Sequence, residues 1–268
     1  MAKIILIPDP SSEELALYKG LTARQEIRWD VFIAESVKVI EAALDAGLEP
    51  VSLLMERRHL EGKAAHLIER TGGVPVYAPP DEWIHSLTGY ALHRGVLCAM
   101  KRPSPASPET VLPGAGRVAA LENIADEANL GAIFRSGAAL GMDALLLSPG
   151  CADALSRKCV RVSMGAVFRL PWARTEELDE GGIGVIRRFG FTPCALALTD
   201  ESMPVTRMPA HKPALILGNE GTGLKAATVA ACDVTLKIPM KRGMDSLNVA
   251  AAAAVAFWEA GRAGAEQK

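Results

Sequence analysis

The stretch "PALILGNEGTGLKAA", residues 213–227, begins as an apolar run fit for a buried strand. It stops at three glycines, Gly218, Gly221 and Gly223, with a carboxylate, Glu220, among them. The order G-x-x-G-x-G matches neither the G-x-G-x-x-G dinucleotide fingerprint nor the G-x-x-x-x-G-K-[ST] phosphate loop. An acid inside the loop would repel the pyrophosphate that such loops cradle at a helix N-terminus. On these residues alone the glycines let the backbone turn sharply or approach a ligand. Glu220 reads either as part of a site or as a favourable carboxylate at the start of the next helix, "GLKAATVAAC".

Four further apolar runs surround this one: "RVAALENI", "DALLLSP", "PCALALT" and "DVTLKIP", separated mostly by segments of helical spacing. Such alternation predicts an α/β fold with a mainly parallel sheet and helices on both faces. Ligands of open parallel sheets collect beyond the carboxyl ends of the strands. Two more loops of that kind carry polar residues. In "LENIADEANLGAIFRSGAALG", Asn129 and Gly131 open a helix, and Arg135 lies six residues past Asn129, on a flank rather than stacked above it. The guanidinium fork of Arg135 suits a phosphate; the plainer reading is Asn129 as a helix N-cap and Arg135 as a surface residue. In "KIPMKRGMDSLNVAAAAAVAFW", Pro239 ends a strand, Ser246 begins an Ala-rich helix, and Asn248 is able to satisfy nearby backbone groups. That helix carries small residues almost all round and is fit to lie close to a neighbour, in its own domain or in a second subunit.

The 268 residues, 49% hydrophobic and 5% aromatic, suit two domains of α/β type. "PSPASPETVLPGAGR" reads as a linker, which sets the expected boundaries at 1–103 for a small N-terminal α/β domain, 104–116 for the linker and 117–268 for the sheet domain. In the first of these, "VFIAESVKVIEAALDAG" reads as a helix closing at Gly47, and "PVSLLMER", "VPVYAP" and "GVLCAMKRP" as strands. No apolar run approaches the roughly 20 residues of a membrane helix. "MAKIILIPDP" breaks at Pro8 and Asp9 before it could serve as a signal peptide, so no membrane partner and a cytoplasmic location are expected. The five cysteines are spaced for neither zinc nor a disulfide framework and read as buried thiols, with no metal. A net charge of −2 gives no global basic signature, so a nucleic-acid partner would be held by local patches.

Taken in order, Asn-x-Gly-x-x-x-Arg, then Gly-Asn-Glu-Gly-x-Gly-Leu, then Ile-Pro-Met with Ser-Leu-Asn resembles the three motifs of the SpoU (TrmH-like) branch of the SPOUT RNA 2′-O-ribose methyltransferases. The resemblance covers 117–268, and "SPGCADALSRKCVRVSMGAVFRLP" is similar to the family's stretch between its first two motifs. The N-terminal domain is similar to the substrate-binding domain often fused to these enzymes, itself like certain RNA-binding ribosomal proteins. Three positions depart from the family pattern: Glu127 stands where Pro is usual, Ala250 where Ser is common, and Ser36 where Gly is common.

The resemblance implies a deep trefoil knot in the C-terminal domain, S-adenosylmethionine as cofactor, and a homodimer through that domain. It implies cofactor contacts at Leu196, Leu198, Thr199, Leu217, Gly218, Asn219, Gly221, Ile238, Met240, Ser246 and Leu247, and catalytic positions at Asn129, Arg135, Glu220, Ser246 and Asn248. Because a guanidinium stays protonated and is a poor base, Arg135 is expected to hold the phosphate and stabilise the developing alkoxide, with Glu220 and Asn248 fixing Arg135. Arg157, Lys158, Arg161, Arg169, Lys241 and Arg242 are the expected RNA contacts, with Lys101 and Arg102 near the linker. Ribosomal RNA is the expected substrate, ahead of transfer RNA. A catalytically inactive RNA-binding protein of the same fold is a further reading, and a dinucleotide oxidoreductase is disfavoured by the missing fingerprint.

Overall fold

The computed structural model of the chain describes residues 4–7, 9, 11–21, 30–89, 95–241 and 246–265. It divides into two units, Met1–Ser104 with Leu155–Phe168, and Pro105–Ala154 with Arg169–Lys268. Arg242 lies outside the described residues.

In the first unit the strands β1 (Ile4–Ile5), β2 (Val31–Glu35), β3 (Pro50–Met55), β4 (Val76–Tyr77) and β5 (Val96–Lys101) form a sheet in the order β1-β4-β3-β5-β2. β5 runs antiparallel to both its neighbours, while β4 is parallel to β1 and β3. The helices are α1 (Val37–Asp45), α2 (Ala65–Arg70) and α3 (Asp81–Thr88), with a further short helix over Arg157–Val162. Tyr18 is wholly buried, and its hydroxyl is satisfied by the Ser52 carbonyl at 2.8 Å and by the Ala99 N–H at 3.2 Å. The run expected as one helix is split: "VFIAE" is strand β2 and only Val37 onward is helical. All five β2 residues are buried, so their unbroken apolar character carries no period that separates strand from helix. The break falls at Ser36, whose φ of +87° no helix accepts.

The stretch 155–168, expected with the sheet domain, packs in this first unit. The Phe168 and Phe32 rings lie 5.5 Å apart, and at Gly165 an added Cβ would meet the Cβ of Ala42 at 2.7 Å. Arg157 Nη1 lies 2.6 Å from the Glu35 carboxylate, the two side chains only 14% and 4% exposed. Arg157 was expected on an RNA surface; its guanidinium is instead committed to a largely buried ion pair, where removing either partner is costly.

The second unit opens with α4 (Pro108–Val111) inside the expected linker, started by a capping box between Ser107 and Thr110. Leu112 and Ala115, also expected as linker, are buried in this unit's core. Then follow β6 (Val118–Leu121), α5 (Glu127–Ala139), β7 (Ala144–Leu147), β8 (Trp172–Arg174), α6 (Ile183–Arg188), β9 (Thr192–Leu196), β10 (Met203–Pro204), β11 (Pro213–Leu217), α7 (Ala226–Ala231), β12 (Val234–Lys237) and α8 (Val249–Ala265). The seven strands run in the order β10-β12-β9-β11-β6-β7-β8, and every pairing is parallel. β8 and β10, the short edge strands, are absent from the sequence reading. The late strand β11 sits between β9 and β6 with all five residues buried, which explains why "PALIL" is apolar throughout. α8 packs on α5, and its residues Ala253, Ala256, Phe257 and Ala260 are buried. Gly137 on α5 leaves room for Leu170, since a Cβ there would lie 2.9 Å from that side chain. Among the described residues no helix is long and apolar enough to cross a membrane.

Candidate active site

A cavity of about 780 Å³ opens at the carboxyl ends of β9, β11 and β12. Its walls come from Leu196–Thr199 after β9, the loop Leu217–Leu224 after β11, the start of α7, and Ile238 and Met240 after β12. Ser246, Leu247 and the first turn of α8 complete it. All eleven residues expected to hold a cofactor line this one cavity.

The β11 loop is folded tightly on itself. Asn219 Oδ1 accepts the Gly221 N–H at 2.8 Å, and the Asn219 carbonyl accepts the Gly223 N–H at 2.9 Å. Gly223 adopts φ +68°, and an added Cβ on Gly218 would lie 2.4 Å from the backbone of Gly223 and Leu224. No side chain fits at Gly218, so the cavity meets bare backbone there. The Asn219 amide also donates to the Asn123 carbonyl at 2.9 Å, pinning the loop to the end of β6.

Asn129 joins the three motif loops. Asp126 caps α5 by accepting the Asn129 N–H at 2.8 Å, so Asn129 is not the cap and its side chain is released for other work. That side chain donates to the Glu220 carboxylate and accepts the Asn248 amide at 3.0 Å. Asn248 Oδ1 in turn accepts the Ala250 N–H at 3.0 Å, so Asn248, and not Ser246, starts α8. Ser246 is exposed at the cavity rim.

Arg135 departs from expectation. Neither Glu220 nor Asn248 hydrogen-bonds to it; it is exposed and makes no hydrogen bond or ion pair among the described residues. Six residues of helix turn a side chain through about 600°, which leaves Arg135 roughly a third of a turn away from Asn129. Glu220, lying above the first turn of α5, therefore meets Asn129.

Two residues that the sequence reading passed over complete the surroundings. Lys225 Nζ lies 2.9 Å from Glu177 and 3.0 Å from Asp179, contacts that raise the lysine pKa and lower that of Asp179. Glu122, 1% exposed, accepts the Lys225 backbone N–H at 2.8 Å and the Thr228 hydroxyl at 2.5 Å. Its only sequence signal is an acid at the end of an apolar strand. Of the expected RNA contacts, Arg161, Arg169 and Lys241 are exposed and Lys158 is half-buried. None of the five cysteines forms a disulfide, and burial pushes the Cys98, Cys194 and Cys232 thiols up to about 12, so these three are not held as thiolates. Among the described residues no group of three or more His, Cys, Asp or Glu side chains is placed to hold a metal.

The cavity lining fits an adenosyl sulfonium compound. Leu196, Leu217, Leu236 and Ile238 offer apolar walls, the bare backbone at Gly218 offers polar groups, and Glu220 gives the rim a charge that favours a cation over a phosphate.

Residues 116–258 match the SpoU rRNA Methylase family. An uncharacterised tRNA/rRNA methyltransferase of Mycobacterium bovis is 40% identical over 245 residues, 87% of this chain and 81% of that protein. The 23S rRNA (guanosine(2553)-2′-O)-methyltransferase RlmP of Bacillus subtilis is 34% identical over 155 residues, 55% of this chain and 59% of its own. The crystal structure of an AdoMet-bound rRNA methyltransferase from Sinorhizobium meliloti superposes with a TM-score of 0.83 at 27% identity, covering 97% of this chain and 98% of that one.

Proposed function

The chain belongs to the SpoU rRNA methylase family, and on that premise we propose that it methylates a ribose 2′-hydroxyl of ribosomal RNA, with S-adenosylmethionine held in the cavity at the ends of β9, β11 and β12. The observation that carries this reading is the convergence of three separated loops on one cavity mouth through Asn129, Glu220 and Asn248. Relatives named as ribosomal RNA 2′-O-methyltransferases support the choice of RNA.

S-adenosylmethionine, when bound, supplies the methyl group. The backbone around Gly218 and the apolar side chains of Leu196, Leu217 and Ile238 hold it. Asn129, fixed between Glu220 and Asn248, orients the ribose together with Ser246. Arg135 keeps its fork of donors available for a phosphate and for the charge that develops on the ribose oxygen. Arg161, Arg169 and Lys241 are the exposed cations offered to the RNA backbone. Glu220 acts on Asn129, and through it on the substrate, in place of the direct grip on Arg135.

The passage of the chain around β11 and β12 is read as the family's trefoil knot, and the first unit as the RNA substrate-binding domain. The exposed stripe Ala251, Val255 and Trp258 on α8, with Trp258 65% exposed, is read as the face that pairs with a second copy. A cytoplasmic location follows from the substrate.

The test is methyl transfer in vitro. Purified protein is incubated with radiolabelled S-adenosylmethionine and either ribosomal or transfer RNA, and the digested nucleosides are separated. A 2′-O-methylnucleoside from ribosomal RNA is expected. Label appearing only in transfer RNA, or only on a base, would overturn the proposal.

A further inference from the structure

Glu122 neither lines the cavity nor belongs to the catalytic set, yet it is a carboxylate buried to 1% exposure at the end of β6, beside the central strand β11. Its surroundings account for the burial. Its backbone N–H donates to the Leu217 carbonyl at 2.8 Å, where the β11 loop begins. One carboxylate oxygen accepts the Lys225 N–H at 2.8 Å, where the loop ends, and the other accepts the Thr228 hydroxyl at 2.5 Å, inside α7. The next residue, Asn123, holds the entry of the loop by accepting the Asn219 amide at 2.9 Å. Asn123 keeps φ at +57°, and its own N–H donates to Ser148 Oγ at 3.0 Å. Two consecutive residues thus grip the glycine loop at its entry, through Leu217 and Asn219, and at its exit, through Lys225.

Leu224 and three residues of α7, Ala226, Val229 and Ala230, form one wall of the cavity. Lys225 is the N-cap of α7 and supplies no side-chain cap of its own. The wall is therefore fastened to the sheet through Glu122. A six-residue helix has little stability alone, so its position depends on such tertiary anchors.

We propose that Glu122 is a positioning residue for the cofactor: by fixing the start of α7 against the end of β11 it sets the width of the cavity, and so the affinity for S-adenosylmethionine, without touching the substrate. The proposal rests on the reading that the cofactor occupies this cavity.

The full chain is compared with Glu122→Met, Glu122→Gln, Thr228→Val and Ala230→Trp by calorimetric titration with S-adenosylmethionine and by initial rates on RNA. Glu122→Met keeps the shape and loses both acceptors. It raises the Kd and KM for S-adenosylmethionine about tenfold or more, as the loss of hydrogen bonds to a buried acceptor requires. The KM for RNA stays unchanged, a split that a merely reduced folded fraction would not produce. Glu122→Gln recovers most of the affinity, because its carbonyl accepts from Lys225 and its NH₂ donates to the Thr228 hydroxyl. Thr228→Val removes one bond, raises the Kd severalfold, and decides the matter if Glu122→Met does not fold. Wild-type cofactor affinity in folded Glu122→Met, or in Thr228→Val where the former is unfolded, overturns the proposal while leaving the cavity assignment intact. Wild-type affinity in Ala230→Trp, which fills the cavity, overturns the assignment itself and the role of Glu122 with it.

Discussion

Asn129 and Glu220, 91 residues apart in the chain, share a side-chain hydrogen bond at the mouth of the cavity. The bond crosses from the first turn of α5 to the glycine loop after β11. It explains why an acid sits among glycines: Glu220 is an acceptor that orients a carboxamide, and bonds to a charged acceptor are stronger than neutral ones. Asn248 donates to the other end of the same carboxamide, so the Asn129 side chain has one orientation that satisfies both neighbours.

Asn129→Ala breaks both contacts at once. We expect the rate of methyl transfer to fall about 10- to 100-fold, the worth of a lost hydrogen bond to a charged group. Asn129→Asp is expected to do no better, since it sets a second carboxylate against Glu220 and removes the donor. Steady-state rates at saturating cofactor, with melting temperatures alongside, check both variants.

Arg135→Ala is expected to leave the cavity untouched, because Arg135 hydrogen-bonds to neither Glu220 nor Asn248 and does not line the cavity. Calorimetric affinity for S-adenosylmethionine is expected to match the wild type, while turnover falls about 100-fold or more, as when a charge-stabilising donor is removed. Arg135→Lys should recover little, since an ammonium lacks the bidentate fork. Full turnover in Arg135→Ala would remove this residue from the mechanism.

Ser36 holds a backbone conformation that favours glycine. Its φ is +87°, it is 3% exposed, and its hydroxyl has no partner among the described residues. Ser36→Gly relieves the backbone and removes a buried unsatisfied group, at the expense of a freer unfolded chain. The net expectation is a gain of about 1 kcal/mol, measured by urea unfolding of the full chain. A loss of stability would show that the hydroxyl has a role in the fold.

The parallel sheet was legible because its long strands are buried on both faces and read as unbroken apolar runs, "PALIL" most plainly. The same property hid β2, since "VFIAE" has no alternation to distinguish it from the helix that follows. β8 and β10, of three and two residues, are too short to carry a pattern. Of the site, the residue types and the order of loops were visible, but which side chain meets which was not. Whether Glu220 faces Asn129 or Arg135 depends on the rotation of α5 beneath the loop. Glu122 escaped notice because its partners are a backbone N–H and a hydroxyl more than a hundred positions along the chain.

Trp258 and Val255 stand exposed along α8 at 65% and 40%, on the side away from α5. If this face pairs with a second copy, Trp258→Glu sets charges in an apolar contact and shifts the protein to monomer at micromolar concentration. Light scattering on wild type and variant reads this directly. A wild type that is monomeric and active would contradict the proposed pairing.

Modification of a ribose of ribosomal RNA is read out by mapping 2′-O-methylation across total RNA from cells with and without the protein. One or a few ribosomal positions are expected to lose their methyl group in its absence and to regain it with the wild type, but not with Arg135→Ala. An unchanged ribosomal profile accompanied by loss of a 2′-O-methyl group from transfer RNA would contradict it.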